Sequence, residues 1–480
     1  MNQTMKDAMI QITGNDRVSD EENVLSQYSG NYPPSLVVWP ITTEEVVNIV
    51  KWANENSVAL VPTSSLGPKL RGSSLPKVEN AIVVDLSKMN QILRIDSTNK
   101  VAMIEPGVTY DELIHTLKLA GLRPLMPFLP KGSKSVLASC LDREPITIPR
   151  FHWDTPDPLL CTETVFGTGD IFRTGAAAGP GTLEEQWEAG QAQKNPMGPS
   201  QFDPYRLVQG AQGTIGIVTW ISMKCEKLPE IQKFFLAQAD DLGDFQEFNY
   251  ALFRRRLPDE HFMLNSTALS AALGEKKLLS PWILILGVSG HGDIADEELD
   301  YRIGDIKDIA RESNVKLEEN LKDVKSSEIE ALLNRASEVP YWKIRAKGEC
   351  QEVMFTTTLD RVQEFYHVFH EVAREIGFPL DQIGAYVQPM NQGTNTHVGF
   401  DLYYTLGEDD STEKVIMLLS RGQKKLLDEG AYFSRPYGVI IDAVFEKGSP
   451  LTVDAMKRVK SIFDPNNILN PGTLCFKEVP

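Results

Sequence analysis

"VALVPTSSLGPKLRGSSLPKVENAIVVDLSKMN", Val58 to Asn90, sets a loop of Pro, Ser, Gly, Lys and Arg between two apolar runs. The first run, Val58–Val61, reads as a buried strand, and the second, Ala81–Asp85, as another. Upstream, Thr42–Asn56 carries a Thr N-cap, acids in its first turn and apolar residues at helical spacing, so it reads as an amphipathic helix. Ser35–Pro40 is a short strand before that helix. The pieces make a β-α-β unit, and the quoted loop leaves its second strand. The middle of that loop keeps only two glycines, Gly67 and Gly72.

Downstream the same logic repeats. In Lys100–Gly121 a strand ends at the Pro106–Gly107 turn, Thr109 can cap a helix, and Gly121 stops it. Thr162–Gly175 reads as a hairpin turning through Gly-Thr-Gly-Asp. Ala176–Pro204 is a long stretch punctuated by Gly and Pro, of the kind that usually carries or covers a site. Gly213–Cys225 is a strand. After Pro229 the texture changes. Charged helices at Ile294–Asn314 and Thr358–Gly377 alternate with strands at Phe234–Ala237, Trp282–Val288 and Thr396–Tyr404, which suggests an antiparallel sheet with helices on one face.

The chain has 480 residues, room for two or three domains. Its 42% hydrophobic and 24% charged residues are those of an ordinary globular protein. A net charge of −18 argues against nucleic acid and against anionic membrane surfaces as main partners. An anionic substrate would need a local cluster of Arg or Lys. No stretch reaches the ~18 apolar residues of a membrane span. The first residues lack the basic and apolar regions of a secretory signal, so a cytoplasmic address is the default. The five cysteines are scattered and form no C-x-x-C, and the histidines show no H-x-x-x-H pair. Neither a disulfide framework, an iron–sulfur cluster nor a metal site is expected.

Four segments then line up in order: "VVDLSKMNQILRIDSTNKVAMIEPGVTYDELIHTL", "GDIFRTG", "VQGAQGTIGIVT" and "FDPNNILNPG". As an ordered set they resemble the vanillyl-alcohol oxidase / p-cresol methylhydroxylase superfamily of FAD-binding oxidoreductases. The likeness is strong over Ser35–Cys225 and Ser461–Cys475 and weak between them. It implies an α+β fold: an FAD-binding domain of two α+β subdomains over 1–228, a cap with an antiparallel sheet covered by helices over 229–435, and a segment over 436–480 that returns to the FAD domain.

The resemblance also implies a role for the opening loop. In the family it is glycine-rich, and its N–H groups cradle the FAD pyrophosphate, an anion nest that needs close backbone approach. Here Pro62, Thr63, Ser64, Ser65, Leu66, Gly67, Arg71 and Gly72 would form a variant cradle, with Lys69 and Arg71 adding positive charge. Further FAD contacts fall on Pro106, Gly107, Ser135, Ser139, Asp142, Gly213, Gly216, Ile217, Val218 and Asn470. No His lies between Pro62 and Ser74, which excludes a histidyl-flavin bond from this loop; the cap could still supply a His or Tyr for one.

Within the superfamily, "SVLASCLDRE" (Ser135–Glu144) resembles the vanillyl-alcohol oxidase / 4-alkylphenol dehydrogenase branch. There an acid before Arg sits near flavin N5; here it is Asp142. That branch holds its phenolate with two tyrosines and an arginine. At the matching places this chain has Leu70–Arg71 and, in "GAYFSRPYG", Ser434–Arg435. The arginine is kept and both tyrosines are gone, so Arg71, His152, Arg435 and Tyr437 become the substrate-binding candidates. Two guanidiniums can hold a carboxylate. His397 starts an alternating cap strand and shares a face with Gly399 and Asp401. His397 or Tyr432 would act as base or orienting group. The Gly-Glu-His-Gly signature of bacterial glycolate and D-lactate dehydrogenases is absent, which counts against a simple 2-hydroxy acid reading.

The expected activity is hydride transfer from a small alcohol, hydroxy acid or phenolic substrate to flavin N5. Electrons would pass to a separate acceptor such as a cytochrome, an iron–sulfur subunit or an electron-transferring flavoprotein. Homodimers are common in the resembled branch. The competing readings are a glycolate/D-lactate-type dehydrogenase, a degenerate flavin-binding subunit with a structural role, and a binding protein without flavin.

Overall fold

A computed structural model of the chain describes residues 2–30, 32–67, 74–149, 158–198, 203–407 and 410–478. Three sheets follow one another along it. The first holds β1 (Val18–Ser19), β2 (Leu36–Val38), β3 (Leu60–Thr63) and β4 (Ile82–Asp85), in the order β1-β2-β4-β3. β4 runs parallel to both β2 and β3, and β1 is antiparallel. The crossover helix, Thr43–Asn56, starts where Thr42 accepts a hydrogen bond from the Glu45 N–H and ends on left-handed Ser57. Val46, Ile49 and Val50 press its apolar stripe onto Leu36, Leu60 and Ile82. Each such side chain, fully buried, stabilises by roughly 1.5–3 kcal/mol.

The second sheet contains β5 (Ile92–Asp96), β6 (Val101–Ile104), β7 (Leu122–Pro124), β8 (Leu159–Phe166), β9 (Ile171–Arg173) and β10 (Gly216–Lys227). Every pairing in it is antiparallel, with β10 as the long central strand. Helix Tyr110–Leu119 opens with a capping box between Thr109 and Glu112 and packs under this sheet.

The third sheet holds β11 (Ile231–Ala239), β12 (His261–Asn265), β13 (Trp282–Gly290), β14 (Glu349–Thr357), β15 (Ile383–Met390) and β16 (Asn395–Tyr404). Its order is β11-β13-β12-β15-β16-β14, antiparallel throughout. Helices were expected on one face, but both faces are covered. Helices Ala295–Glu312, Val362–Ile376 and Ser411–Asp428 cover one. Short helices Ser266–Leu273, Ser326–Leu333 and Trp342–Arg345, with Phe128 and Leu129 from the preceding part of the chain, cover the other. The reason lies in β13, where all nine residues are buried, so neither face can meet water.

The chain finally returns to the first two sheets. Helix Pro450–Phe463 packs Phe463 on Phe166, and Leu469 bridges Leu60 of β3. Lys460, buried in that helix, donates to the carbonyls of Thr214 and Leu469 and to Asp464. Among the described residues no helix is long and apolar enough to cross a membrane, and all five cysteines are unpaired and buried.

Candidate active site

A cavity lies where the three sheets meet, with ≈ 270 Å³ reachable by water. One end is the loop after β3. Pro62, Thr63, Ser64 and Ser65 line it. The loop is stitched to Lys131–Ser135. Ser65 Oγ accepts from the Ser135 N–H at 3.1 Å, and the Leu66 carbonyl accepts from Lys131 Nζ at 2.8 Å. Gly67 is left-handed at φ +71°, a conformation that favours glycine. The Leu66 side chain itself is exposed. Lys69, Leu70, Arg71 and Gly72 lie outside the described residues, as does His152.

The floor comes from the strand β10 and the turn before it. Gly213, Gly216, Ile217 and Val218 line the cavity. A Cβ on Gly213 would sit 2.5 Å from Pro62 Cγ, so the turn abuts the β3 loop only because residue 213 has no side chain. Asn470 holds this turn from behind, its Nδ2 donating to the Gln212 carbonyl at 2.7 Å.

Other expected cofactor residues stand one layer back. Ser135 caps helix Val136–Leu141 and donates to the Pro106 carbonyl at 2.5 Å. Ser139 donates to Glu144 and accepts from Tyr110. A Cβ on Gly107 would lie 2.3 Å from the Ser87 carbonyl oxygen, which explains that glycine by chain packing. None of Ser135, Ser139, Pro106 and Gly107 is on the cavity wall. They brace helix Val136–Leu141, whose Leu137, Ala138 and Leu141 are.

Asp142 and Arg435 meet in the cavity, although 293 residues separate them. Asp142 closes helix Val136–Leu141, and Arg143 turns the chain away at φ +52°. Arg435 is 5% exposed, and its Nη1 donates to the Asp142 carbonyl at 2.9 Å. Tyr437 donates its hydroxyl to Asp142 Oδ1 at 3.0 Å. In return Arg143 Nη2 donates to the Ser434 carbonyl at 2.8 Å. Lys134 pairs with Glu144 at 2.6 Å and lies 3.8 Å from Asp142.

The roof is the cap sheet. His397, Gly399 and Asp401 of β16 line the cavity with Glu352 and Met354 of β14 and Tyr386 of β15. Glu352 pairs across the strands with Asp401, Met354 with Gly399 and Tyr386 with Gly399, so one sheet face looks down. His397 is 8% exposed. Lys343 reaches both Asp401, at 2.7 Å, and Glu352, at 2.5 Å. Burial works against the Lys343 ammonium, but the two carboxylates outweigh it and hold its pKa well above the ordinary value. Burial likewise pushes the Tyr386 phenol up, and its hydroxyl donates to Gln388.

Tyr432 is a correction. It was expected to face the substrate, but it is 69% exposed and lines a different cleft. Tyr432 bridges Thr356 in extended backbone, with its neighbours Ala431 and Phe433 buried and its own side chain turned outward. The chain then bends at Ser434–Arg435, which brings Arg435 inside. Sequence reasoning missed Lys343, Glu352, Tyr386, Lys134 and Glu144. The signal for Glu144 was present, two residues past Asp142 on the same helix end. Glu352 was hidden because it sits just before the short apolar run Val353–Phe355 in a strand otherwise rich in polar residues.

Known proteins resemble this chain in sequence and in fold. Residues 34–135 match the family model described as FAD binding domain, and 441–474 match the C-terminal domain of FAD linked oxidases. Glycolate oxidase subunit GlcD of Bacillus subtilis is 24% identical over 99% of this chain and 97% of that protein. The D-lactate dehydrogenase of Anaerostipes hadrus is 24% identical over 93% of this chain and 91% of its own. A crystal structure of p-cresol methylhydroxylase with substrate bound superposes with a TM-score of 0.83 over 99% of this chain and 96% of that one, at 19% identity.

Proposed function

We propose that this chain, whose residues 34–135 and 441–474 match FAD-binding and FAD-linked oxidase domains, holds FAD and oxidises the CH–OH group of a small 2-hydroxy acid. One observation carries the reading: Asp142 and Arg435 line the same cavity as His397 of the cap sheet.

Thr63–Ser65, Gly213 and Gly216–Val218, which line this cavity, would hold FAD. When bound, it supplies the hydride acceptor. Arg435 holds the substrate carboxylate through guanidinium hydrogen bonds. Its tie to the Asp142 carbonyl fixes the fork before substrate arrives, so little orientational entropy is lost on binding. His397 takes the hydroxyl proton as hydride leaves carbon, which yields the keto acid and an imidazolium. Asp142, oriented by Tyr437, tunes the charge beside the flavin ring. The Lys343–Glu352–Asp401 cluster keeps the far wall polar and ordered. The names of the whole-length relatives support a hydroxy acid over a phenol. Electrons then leave to a separate acceptor protein.

The test compares D- and L-2-hydroxy acids with their methyl esters. Free acids should give at least about tenfold higher kcat/KM than esters. Equal turnover of acid and ester would remove the carboxylate from the reading. A second reading, oxidation of a 4-alkylphenol, is favoured by the Asp142–Tyr437 hydrogen bond, a polar pair that a phenolic hydroxyl could join. Turnover of 4-ethylphenol above every hydroxy acid would select it.

A further inference from the structure

Behind the Asp142–Arg435 contact lies a second cavity, bounded by the turn before β10, helix Ile440–Lys447 and helix Pro450–Phe463. Its volume reachable by water is ≈ 720 Å³, within the roughly 300–1,000 Å³ of small-molecule sites. Leu207, Ile215, Phe433, Val453, Met456 and Phe476 give it an apolar wall.

Its charged groups have one sign. Arg143, Arg206 and Lys447 line it, and among the described residues no Asp or Glu does, in a chain of net charge −18. Arg206 and Lys447 sit at the rim, near Asp203 at 3.7 Å and Asp428 at 3.5 Å. Arg143 differs from both. Among the described residues no carboxylate lies within ion-pairing distance of it, and its buried Nε has no hydrogen-bond partner. Its guanidinium is pressed against Gly210, where a Cβ would lie 2.7 Å from Nη2. A part-buried guanidinium with spare donors, at the edge of an apolar chamber, is matched by an amphipathic anion.

We propose that this cavity binds a medium-chain carboxylate, with the head group on Arg143 and the alkyl chain against Phe433, Met456 and Phe476. The planar guanidinium fork suits a carboxylate, and an alkyl chain is stabilised by burial against the apolar wall. The site is separate from the flavin cavity and does not rest on the substrate reading above.

Isothermal titration of the FAD-loaded protein with decanoate, decanol and decyltrimethylammonium tests it. Decanoate should bind once per chain, decanol about tenfold more weakly, and the cation not at all. Arg143→Met should weaken decanoate at least about tenfold and leave decanol unchanged. Met456→Trp, which fills the chamber, should remove decanoate binding while FAD absorbance is retained. No decanoate binding by the unaltered protein up to about 1 mM would overturn the proposal. So would equal affinity for all three ligands, or decanoate binding that survives Met456→Trp, which would place the ligand in the flavin cavity.

Discussion

Arg435 shows how much one position can carry. Its side chain is buried, and its Nη1 donates to the Asp142 carbonyl on the wall of the cavity. Arg435→Met should lower kcat/KM for a hydroxy acid by an equivalent of roughly 2–5 kcal/mol, mostly through KM. Near-unaltered kinetics would take Arg435 out of the substrate site. His397→Asn should leave FAD and substrate binding in place and reduce kcat by roughly 10²–10⁴-fold. A loss confined to KM would make His397 a binding group instead. Lys343 is a different kind of residue, because removing it strands Glu352 and Asp401 under the cap sheet. Lys343→Met should cost about 3–5 kcal/mol in urea unfolding. An unchanged midpoint would show that water already reaches the pair.

At the scale of elements, the opening β-α-β unit was readable because its signals agree. The Thr42 cap, the apolar stripe of Thr43–Asn56 and the short apolar runs on either side all point to one answer. The cap sheet was readable as antiparallel strands but not in its layering. Its charged helices announced one covered face, while the other is covered by short helices of four to eight residues with weak periodicity. Asp142 falls on the cavity where one segment carries its own chemistry, whereas the outward turn of Tyr432 before the bend at Ser434–Arg435 left no mark in the sequence. The site was also illegible where a contact joins distant segments. Lys343 meets Asp401 across 58 residues, and no local pattern marks such a pair.

The strand β12 makes a prediction of its own. His261 is fully buried, its Nε2 lies 2.8 Å from Asn249 Oδ1, and burial lowers its pKa to about 3. In the unfolded chain the imidazole takes a proton near pH 6.5. Below that pH the unfolded state binds more protons than the native state. Stability should therefore fall as pH drops from about 6.5 towards 3, by up to about 1.4 kcal/mol per unit from this residue. Above pH 6.5 it contributes no slope. His261→Gln should flatten the dependence of the urea midpoint between about pH 6.5 and 5. Parallel curves for the two proteins would show that His261 ionises freely.

Across the whole molecule, the cavity draws its walls from all three sheets, so a bound cofactor ties them together. Stripping FAD should lower stability by about 4 kcal/mol for cofactor held at 1,000 times its Kd. Calorimetry of holo- and apoprotein reads that difference, and identical melting would mean that FAD binds after folding without supporting it. The central claim is that the cavity holds FAD beside a site for a small hydroxy acid. Its most direct test is the visible spectrum of the purified protein under argon, followed as D-lactate, glycolate, longer 2-hydroxy acids and 4-ethylphenol are added in turn. The account predicts flavin absorbance that bleaches with a 2-hydroxy acid and persists with its methyl ester. Bound flavin that none of these compounds reduces, or a colourless protein that cannot be reconstituted with FAD, would contradict it.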